Sequence, residues 1–501
     1  MPSRKRPSTP RLVGDPVALR LVAWRRAPPR IGVSPRTRAH DGPSEGGERA
    51  APDLHDGQPT MSLHLDADRA PDATPHHHAV PPSHRKETES ERLRVLFVTP
   101  YLPSPPKFGG QQRMHAILSG LARSHEVSVL SLVDPAESQD EARRVTESYC
   151  ARVVTVPNHR YAASGMTKRA LQLASVLSLR SNAWLTHRIG AFSSALEEML
   201  ASERYDVVHF SFAQTAICGL GVKRAPGGPA FCVDEHNIEY DLVRRTSEAG
   251  KTLPRRFYSA VDWRKLRAEE RKTWTLFDGC TVTSPRDEAL VRADSPTTRT
   301  AIVPNGVDLE HLSPVHGEPA EGPPSLLFFG AIDYHPNTDG LLFFLREVMP
   351  LLVARYPALK LSIVGRRPPP SILAFRGPNV EVTGVVDDLR PYMARATAVL
   401  APLFIGGGTR LKILEAMAMG KPIVSTSLGA EGLAVKHDEH LLLADDAPAF
   451  AREVGRLIDY PLLGRKLGEA ARALVVARYG WRASVDRLGA FYSDVLRARA
   501  G

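Results

Sequence analysis

Residues 93–117 read LRVLFVTPYLPSPPKFGGQQRMHAI, and this stretch decides the fold class. It opens with a continuous apolar strand, and the pair Gly109-Gly110 then leads into an amphipathic helix. Strands that are apolar throughout and alternate with helices are typical of a parallel sheet with helices on both faces. The segment therefore predicts an α/β fold.

The same alternation continues along the chain and then starts again. In the first half, further strands are predicted at HEVSVLSLV, RVVTVP, YDVVHFSF, FCVDEHN and GCTVTS. In the second half, strands are predicted at SLLFFG, LKLSIVG, VEVTGVV, AVLAPL, PIVSTS and HLLLADD. The pattern predicts two doubly wound, Rossmann-like domains facing a crevice. Such domains bind ligands at the carboxyl ends of their strands.

Composition sets the domain boundaries. Residues 93–312 form the first predicted domain, a linker rich in Pro, Gly and Glu spans residues 313–324, and the second domain covers residues 325–480. A last helical stretch, residues 481–501, could pack back on the first domain.

Residues 1–92 differ from the rest of the chain. They hold 14 of the 42 prolines, dense Arg and Asp, and little apolar surface, so we expect a disordered tail. A targeting peptide, a metal-binding histidine tract and a basic arm are the functional alternatives. The targeting peptide lacks an apolar core and a cleavage site. A solvated tail, or a translation start further downstream, is the simpler interpretation.

Charge and cysteine content narrow the function classes. The 501 residues carry a formal charge of +10, which favours anionic partners such as nucleotides, anionic lipid surfaces or nucleic acid. No apolar run reaches the ~18 residues that a transmembrane helix needs. Four scattered cysteines without a CxxC spacing indicate a reducing compartment. The expected location is the cytoplasm, with peripheral contact to the inner membrane face as an option.

The window that carries the chemistry is residues 403–422, LFIGGGTRLKILEAMAMGKP. Three glycines, Gly406, Gly407 and Gly408, allow a ligand to approach the backbone, and Thr409 is a suitable N-cap for the helix that follows. The helix start attracts anions, and Arg410 and Lys412 add two full charges in its first turn. This combination fits a diphosphate.

The helix after the glycines is apolar nearly all round. One narrow stripe of this helix carries charged groups, and it consists of Lys412, Glu415 and Met419. A buried helix needs partners for such charges, because an unpaired buried charge is costly. The alternative to ligand binding is an ion pair between Lys412 and Glu415.

Taken together, the motifs resemble those of the family 4 glycosyltransferases, which are retaining nucleotide-sugar enzymes of the GT-B fold. The resemblance covers about 400 of the 501 residues. It rests on motifs in a fixed order, namely FVTPYLPSPPKFGGQQRMHAI, HEV, DVVH, DEHNIEY, PNGVD, IVG and LEAMAMGKPIVSTSLGAEGL. The chain looks most like the bacterial subgroup associated with exopolysaccharide synthesis.

The resemblance implies roles in the second domain. Glu415 matches the family's glutamate that binds the donor ribose, whereas Gly407 stands where a second glutamate near the donor sugar is usual. Ala331 and Ile332 stand where an arginine that holds the diphosphate is expected, and no lysine is near. We expect Arg410 and Lys412 to replace the missing charge. Arg366 matches the loop near the nucleotide base, with a surface arginine as the alternative.

In the first domain, Gly109 and Gly110 match the glycine turn beside the donor diphosphate and the acceptor. An ordinary strand-to-helix turn is the alternative. His236, at the end of a predicted strand, matches a histidine near the donor sugar, and a core histidine is the alternative. For His209, one strand earlier, both interpretations stay open.

The predicted function is retaining transfer of a sugar from a nucleotide-diphosphate donor to a saccharide, lipid-linked or small-molecule acceptor. His236, Arg410 and Lys412 are the predicted catalytic residues. No cofactor and no metal are expected, because the body lacks a credible Asp-x-Asp site. The alternatives are a non-catalytic nucleotide-sugar binding or scaffold protein and a sugar-nucleotide epimerase.

The sequence also allows predictions about nucleic-acid, protein and membrane partners. No nucleic acid and no obligate protein partner are expected. Residues 159–188 carry seven Arg, Lys or His residues beside apolar ones and no acid. This stretch could lie on an anionic membrane. A core-packed helix with a solvated basic face is the alternative.

Overall fold

A computed structural model describes residues 92–161, 165–248, 253–314 and 322–500. Apart from its last residue, the predicted disordered tail, residues 1–92, lies outside these ranges. Most of the predicted linker, residues 313–324, lies outside them as well.

Within the described residues, the first sheet has seven parallel strands in the order β3-β2-β1-β4-β5-β6-β7. They are β1 (Arg94–Thr99), β2 (Glu126–Val133), β3 (Arg152–Pro157), β4 (Val207–Ser211), β5 (Ala230–Glu235), β6 (Gly279–Val282) and β7 (Thr300–Ile302). The helices of this half are α1 (Gly109–Leu121), α2 (Asp140–Glu147), α3 (Gly165–Leu177), α4 (Asn182–His187), α5 (Gly190–Ser202), α6 (Ala213–Gly219), α7 (Glu239–Glu248), α8 (Leu253–Leu276) and α9 (Pro285–Asp294).

The second sheet has six described strands, all parallel, in the order β10-β9-β8-β11-β12-β13. They are β8 (Ser325–Phe329), β9 (Lys360–Val364), β10 (Val380–Gly384), β11 (Ala398–Ala401), β12 (Ile423–Ser425) and β13 (Leu442–Leu443). The helices are α10 (His335–Phe343), α11 (Met349–Arg355), α12 (Pro370–Leu373), α13 (Arg390–Arg395), α14 (Leu411–Ala418), α15 (Ala447–Asp459), α16 (Pro461–Arg478) and α17 (Trp481–Ala500). A π-helical turn, Phe344–Val348, joins α10 to α11.

Both sheets confirm the predicted doubly wound α/β class. In each sheet the strand order reverses beside the first strand of that half, β1 or β8. Such a reversal opens a crevice at the carboxyl ends of the strands, where ligands bind in folds of this class. The central strands, such as β1, β4 and β5 in the first sheet and β8 and β11 in the second, are almost fully buried because helices cover both faces, which explains their unbroken apolar sequences.

The C-terminal helix α17 returns to the first half of the chain. Its buried residues Leu488, Phe491 and Val495 share a hydrophobic core with Val95 and Phe97 of β1. This packing ties the end of the chain to the first sheet. Burying three large apolar side chains contributes about 1.5–3 kcal/mol for each of them.

The length and hydropathy of a helix determine whether it could cross a membrane. No helix among the described residues is both long enough and apolar enough to span a bilayer.

Candidate functional site

The glycine loop, Gly406–Gly408, lies between β11 and α14 and contacts the end of β5 in the first sheet. Gly408 has a φ of 60°, and a Cβ there would lie 2.6 Å from both the His236 carbonyl oxygen and Asn237 Oδ1. Only glycine fits this contact, since a side chain would overlap the neighbouring backbone. The loop therefore joins the carboxyl edges of the two sheets.

The start of the next helix differs from the prediction. α14 begins at Leu411, with Arg410 in the preceding position, and no side chain of the described residues caps it. Thr409 Oγ1 instead accepts a 2.9 Å hydrogen bond from Asn305 Nδ2. The prediction of Thr409 as the N-cap is wrong, because α14 starts one residue later and Arg410 takes the N-cap position. Ile413 N donates to the Arg410 carbonyl oxygen at 3.0 Å, so the amides of Leu411 and Lys412 are the ones that such a helix start leaves for another partner.

The Arg410 side chain folds back onto the glycine loop. Its Nη1 donates to the carbonyl oxygens of Gly407 and, at 2.6 Å, of Gly408. Its Nη2 is buried and has no hydrogen-bond partner in the described part of the chain. Burial lowers the pKa of the guanidinium, but arginine stays charged in proteins. The loop thus holds a cation with one donor nitrogen to spare.

Lys412 points from the first turn of α14 toward the end of β8. Its Nζ donates a 2.8 Å hydrogen bond to Asn337 Oδ1 and lies 3.9 Å from the centroid of the Phe328 ring. It is 3.7 Å from the position that a Cβ would take at Gly330, the residue after β8. Burial, and secondarily the charge of Arg410, lower the pKa of Lys412 to about 7. A nearby anion would favour its charged form.

Glu415 lies one turn further along α14 and has a partner of its own. Its Oε1 accepts a 3.2 Å hydrogen bond from Gln112 Nε2 in α1. Burial raises the pKa of Glu415, while Gln112 and the charge of Lys412 act in the opposite direction. Because Asn337 binds the lysine and Gln112 binds the glutamate, the two charges are not held as a direct ion pair.

Gly109 and Gly110 begin α1 beside the second domain. A Cβ at Gly109 would lie 3.0 Å from Leu411 Cδ1 of α14. A Cβ at Gly110 would collide with the Tyr101 hydroxyl and lie 3.1 Å from the Phe212 ring. The turn leaves no room for a side chain at the second position, which is a tighter requirement than an ordinary strand-to-helix turn makes.

His236 directly follows β5 and is buried where the glycine loop makes contact. Its ring centroid lies 3.7 Å from that of Phe212, and its Nε2 lies 3.1 Å from Asp234 Oδ2. The approach to Asp234 is close but lacks the alignment of a hydrogen bond. Burial lowers the pKa of His236, and Asp234 opposes that shift.

His209, which the sequence left undecided, is a core residue. Its Nδ1 lies 2.7 Å from the Tyr492 hydroxyl of α17, and its ring packs on Phe97 with the centroids 4.4 Å apart. Burial lowers the pKa of His209 to about 4. It therefore stays neutral at physiological pH.

Arg366 follows β9 and faces the first domain. Its guanidinium carbon lies 5.4 Å from the centroid of the Phe108 ring, next to the Gly109 turn, and its Nε lies 3.6 Å from Asp333 Oδ1. The side chain is half-exposed. Arg366 thus lies where the two domains meet rather than on a remote surface.

Sequence reasoning missed the residues that support these groups. Asn337 and Gln112 bind Lys412 and Glu415. Nothing in the local sequence marks Asn337, whereas Gln112 lies inside the FGGQQRMHAI motif. Asp234 and Asn305 lie inside the DEHNIEY and PNGVD motifs and are buried, so motif membership was a usable signal for them.

In the part of the chain that the structure describes, no three His, Cys, Asp or Glu side chains cluster as a metal site.

Two family models match the chain. The model for glycosyltransferase family 4 matches residues 108–311, and the model for glycosyl transferases group 1 matches residues 323–460. Together they cover more than half of the sequence. The chain belongs to the family 4 glycosyltransferases.

Individual relatives of this family 4 chain are distant. An uncharacterized 44.6 kDa protein of the cps region of Klebsiella pneumoniae is 29% identical over 26% of this chain and 36% of its own length. The phosphatidyl-myo-inositol mannosyltransferase of Mycobacterium leprae is 30% identical over 38% of this chain and 53% of its own length. The chain thus spans less than two thirds of the length of these curated relatives.

Solved structures agree with the fold. Sucrose-phosphate synthase from Thermosynechococcus elongatus superposes with a TM-score of 0.62 at 19% identity, covering 81% of this chain and 100% of that one. The likeness supports the GT-B arrangement of two Rossmann-like domains.

Proposed function

We propose that this family 4 chain is a retaining glycosyltransferase. It would move a sugar from a nucleotide-diphosphate donor to a saccharide, lipid-linked or small-molecule acceptor. The observation that carries the proposal is the convergence of the glycine loop, Arg410, Lys412 and His236 where the two sheets meet. Residues 93–312 would hold the acceptor, and residues 325–480 would hold the donor.

The chemistry follows from where charge develops. When the sugar leaves the donor, negative charge grows on the departing phosphate oxygens, and prearranged cations stabilise it most effectively in a site shielded from water. Lys412 and the free Nη2 of Arg410 would supply that charge. They would do so in place of the arginine and lysine usual after β8, since Lys412 Nζ lies beside Gly330. No metal ion is needed for this neutralisation.

The remaining site residues are proposed in supporting roles. Glu415 would bind the ribose hydroxyls, and Arg366 would lie near the base. Gly109 and Gly110 would face the diphosphate and the acceptor, and His236 would contact the donor sugar. Retention of configuration would follow if the acceptor attacks on the face that the phosphate leaves, with a phosphate oxygen as base. No carboxylate nucleophile is then required.

The biological setting is proposed from the names of relatives. One relative is named for the cps region, and another is named as a mannosyltransferase that acts on phosphatidyl-myo-inositol. Polysaccharide or glycoconjugate synthesis is therefore the setting we infer.

Transfer can be tested directly with the purified protein. A panel of nucleotide sugars is first ranked by thermal stabilisation, since a ligand at 100 times its Kd adds about 2.7 kcal/mol. The stabilising donors are then incubated with candidate acceptors, and the anomeric configuration of each product is determined by NMR. A product with inverted configuration would contradict the proposal.

The two alternatives predict other results in the same assay. A scaffold or binding protein would bind nucleotide sugar without turnover for any acceptor. An epimerase would convert the donor when no acceptor is present. No contact in the described site favours either of them.

We further propose peripheral contact with an anionic membrane through the surface around α3. Met166, Leu173 and Leu177 of this helix are exposed by 81%, 60% and 79%, and the following Leu179 is exposed by 92%. Arg180 lies next to them, with its guanidinium carbon 4.7 Å from the Trp184 ring centroid. Exposed apolar side chains flanked by cations suit an interfacial helix.

Flotation with vesicles containing anionic lipid tests this contact. At low salt the wild-type protein should float, and Leu177→Glu should reduce the floating fraction. Leu462→Glu, which changes a leucine 75% exposed in the second half of the chain, is the matched control. Failure of the wild type to float would contradict the contact.

A further inference from the structure

A buried ion pair lies beneath the candidate site. Arg113 of α1 and Asp234 at the end of β5 are 2% and 3% exposed. Arg113 Nε donates to Asp234 Oδ2 at 2.9 Å, and Nη2 donates to Oδ1 at 2.7 Å. Thr281 Oγ1 adds a third hydrogen bond to Asp234 at 2.6 Å. The carboxylate is thus fixed in one orientation by a two-pronged guanidinium contact.

From Arg113 the hydrogen bonds continue into the second domain. Its Nη1 donates to Asn305 Oδ1 at 3.2 Å, and Asn305 Nδ2 donates to Thr409 Oγ1 at 2.9 Å. The order of donors is dictated by chemistry. Arginine has no acceptor, so Asn305 must present its oxygen to Arg113 and its NH2 group to Thr409. Thr409 directly follows the glycine loop.

At the other end, Asp234 meets two histidines. Its Oδ2 lies 3.1 Å from His236 Nε2 and 3.9 Å from His209 Nε2. His209 in turn contacts the Tyr492 hydroxyl of α17. The carboxylate that Arg113 orients is therefore the same one that borders the His236 ring.

These contacts form one continuous chain from Thr409 through Asn305, Arg113 and Asp234 to His236. A buried ion pair kept for stability alone is weak in net terms, because desolvation offsets most of the attraction. This pair also contacts Asn305 of the same domain through Arg113 Nη1, and the Asn305 amide then donates across the domain interface to Thr409. The links from Thr409 to Asp234 are hydrogen bonds, and such a buried polar network holds its members in a single arrangement. The last link is the 3.1 Å approach of His236 Nε2 to the Asp234 carboxylate.

We propose that Arg113, Asp234 and Asn305 are positioning residues that couple the seating of the glycine loop to the orientation of His236. The inference rests on the proposed function, in which both ends contact the donor. When the loop is in place, Thr409 completes the chain and the His236 ring is held against Phe212. Because coupling between two sites is reciprocal, nucleotide bound at the loop also alters the surroundings of Asp234.

Asn305→Ala breaks the chain at a residue that is not proposed to touch the donor. We expect kcat to fall by about 10- to 100-fold, the order of loss that a small misplacement of reacting groups causes. Nucleoside diphosphate affinity should change by less than about 3-fold, because the phosphate contacts remain. Asn379→Ala is the matched control, since Asn379 Nδ2 binds only the carbonyl oxygens of Pro357 and Leu359. It should behave as wild type.

Thr409 supplies a second pair of variants with a conservative rescue. Thr409→Val removes the hydroxyl that Asn305 needs, whereas Thr409→Ser keeps it. The valine variant should lose kcat as Asn305→Ala does, and the serine variant should retain most of it. Equal kcat values for the two variants would overturn the proposal.

His209 is the structural reporter, because it borders Asp234 but is not part of the proposed donor site. With ring-labelled histidine, uridine or guanosine diphosphate should shift the His209 signal in the wild type and in Thr409→Ser. In Asn305→Ala, nucleotide binding should leave the His209 signal unshifted. An unchanged His209 response in that variant would overturn the coupling.

The coupling and the proposed function can fail separately. If the wild type binds nucleotide but transfers nothing, the proposed function fails while the His209 measurement still decides the coupling. If transfer is normal in both Asn305→Ala and Thr409→Val, the coupling fails and the proposed function stands.

Discussion

The Lys412 ammonium is hydrogen-bonded to Asn337 Oδ1 at 2.8 Å, at the end of β8. Asn337 lies in the first turn of α10, and its Nδ2 also donates to the Ala331 carbonyl oxygen at 2.7 Å. Lys412, on α14, therefore brings a nitrogen that can be protonated to the loop where the resemblance leads us to expect an arginine and where Ala331 and Ile332 supply no charge.

The low pKa of Lys412, about 7, predicts proton uptake on binding. At pH 8 the free protein holds this lysine mostly neutral, whereas a bound diphosphate would favour its charged form. Isothermal titration in buffers of different ionisation enthalpy should show uptake approaching one proton for each nucleoside diphosphate. Uptake should be smaller at pH 6 and absent in Lys412→Gln. Equal uptake in Lys412→Gln would assign the proton to another group.

Glu415→Gln should affect all ribonucleotides alike. Its proposed partner is the ribose, so nucleoside mono- and diphosphates should both lose affinity, by the ~1.5–3 kcal/mol typical of a hydrogen bond to a charged group. The corresponding 2′,3′-dideoxynucleotides should bind both proteins equally. Gln112→Ala, which removes the partner that Glu415 has in the structure, is the control for lost interdomain contact. A deficit confined to diphosphates would contradict the ribose assignment.

Glu431 links the two halves of the chain. It pairs with Arg245 at 2.8 Å and with Arg286 at 3.2 Å, and Arg245 Nη1 also lies 3.4 Å from the Gly406 carbonyl oxygen. Glu431→Gln should loosen this contact, raise the donor KM several-fold and increase the radius of gyration in X-ray scattering. Charge-assisted contacts of this kind are worth about 1.5–3 kcal/mol when shielded from water.

The matched control for Glu431 is Glu439→Gln. Glu439 pairs with Lys436 at 3.1 Å, but both side chains are mostly exposed. Glu439→Gln should leave the donor KM and the radius of gyration unchanged. A compact Glu431→Gln protein with wild-type KM would show that the contact does not hold the domains together.

Glu235 predicts a pH effect on stability. Burial raises the pKa of this carboxyl above its ordinary value, and Trp274 Nε1, which donates to it at 2.8 Å, opposes the shift. A group with a raised pKa in the folded state binds its proton more tightly there than when unfolded. Its contribution is complete below about pH 4.5, the ordinary value, and is lost as the pH rises through the raised pKa.

Glu235→Gln should remove the loss of stability that Glu235 causes as the pH rises. Relative to the wild type, its free energy of unfolding should increase as the pH rises above 4.5, measured by urea denaturation at several pH values. A constant difference between the two proteins across that range would show that Glu235 titrates normally.

The fold was largely predictable because the strands in both sheets are apolar throughout and separated by regular helices. That the segments around Gly109, Gly406 and His236 come together as a candidate site was predictable for the same reason, since each follows a predicted strand. The conformation of the Arg410 side chain was not predictable, because its hydrogen bonds to the carbonyl oxygens of Gly407 and Gly408 depend on the conformation of the loop.

Long-range polar contacts were also not predictable from local sequence patterns. Thr409 has the sequence of an N-cap, yet Asn305, 104 positions earlier, takes its hydroxyl. The Arg113–Asp234 pair joins residues 121 positions apart. The first contact depends on how the two domains pack and the second on how α1 packs against the first sheet, and the periodicity of a single sequence contains neither.

If Lys412 and Arg410 bind the donor diphosphate, calorimetric titration of Lys412→Ala should show it. We predict that its affinity for nucleoside diphosphate falls by ~1.5–3 kcal/mol, while its affinity for nucleoside monophosphate changes little. Lys436→Ala, which removes an exposed lysine, should bind both as wild type does. Equal losses for mono- and diphosphate in Lys412→Ala would contradict the claim.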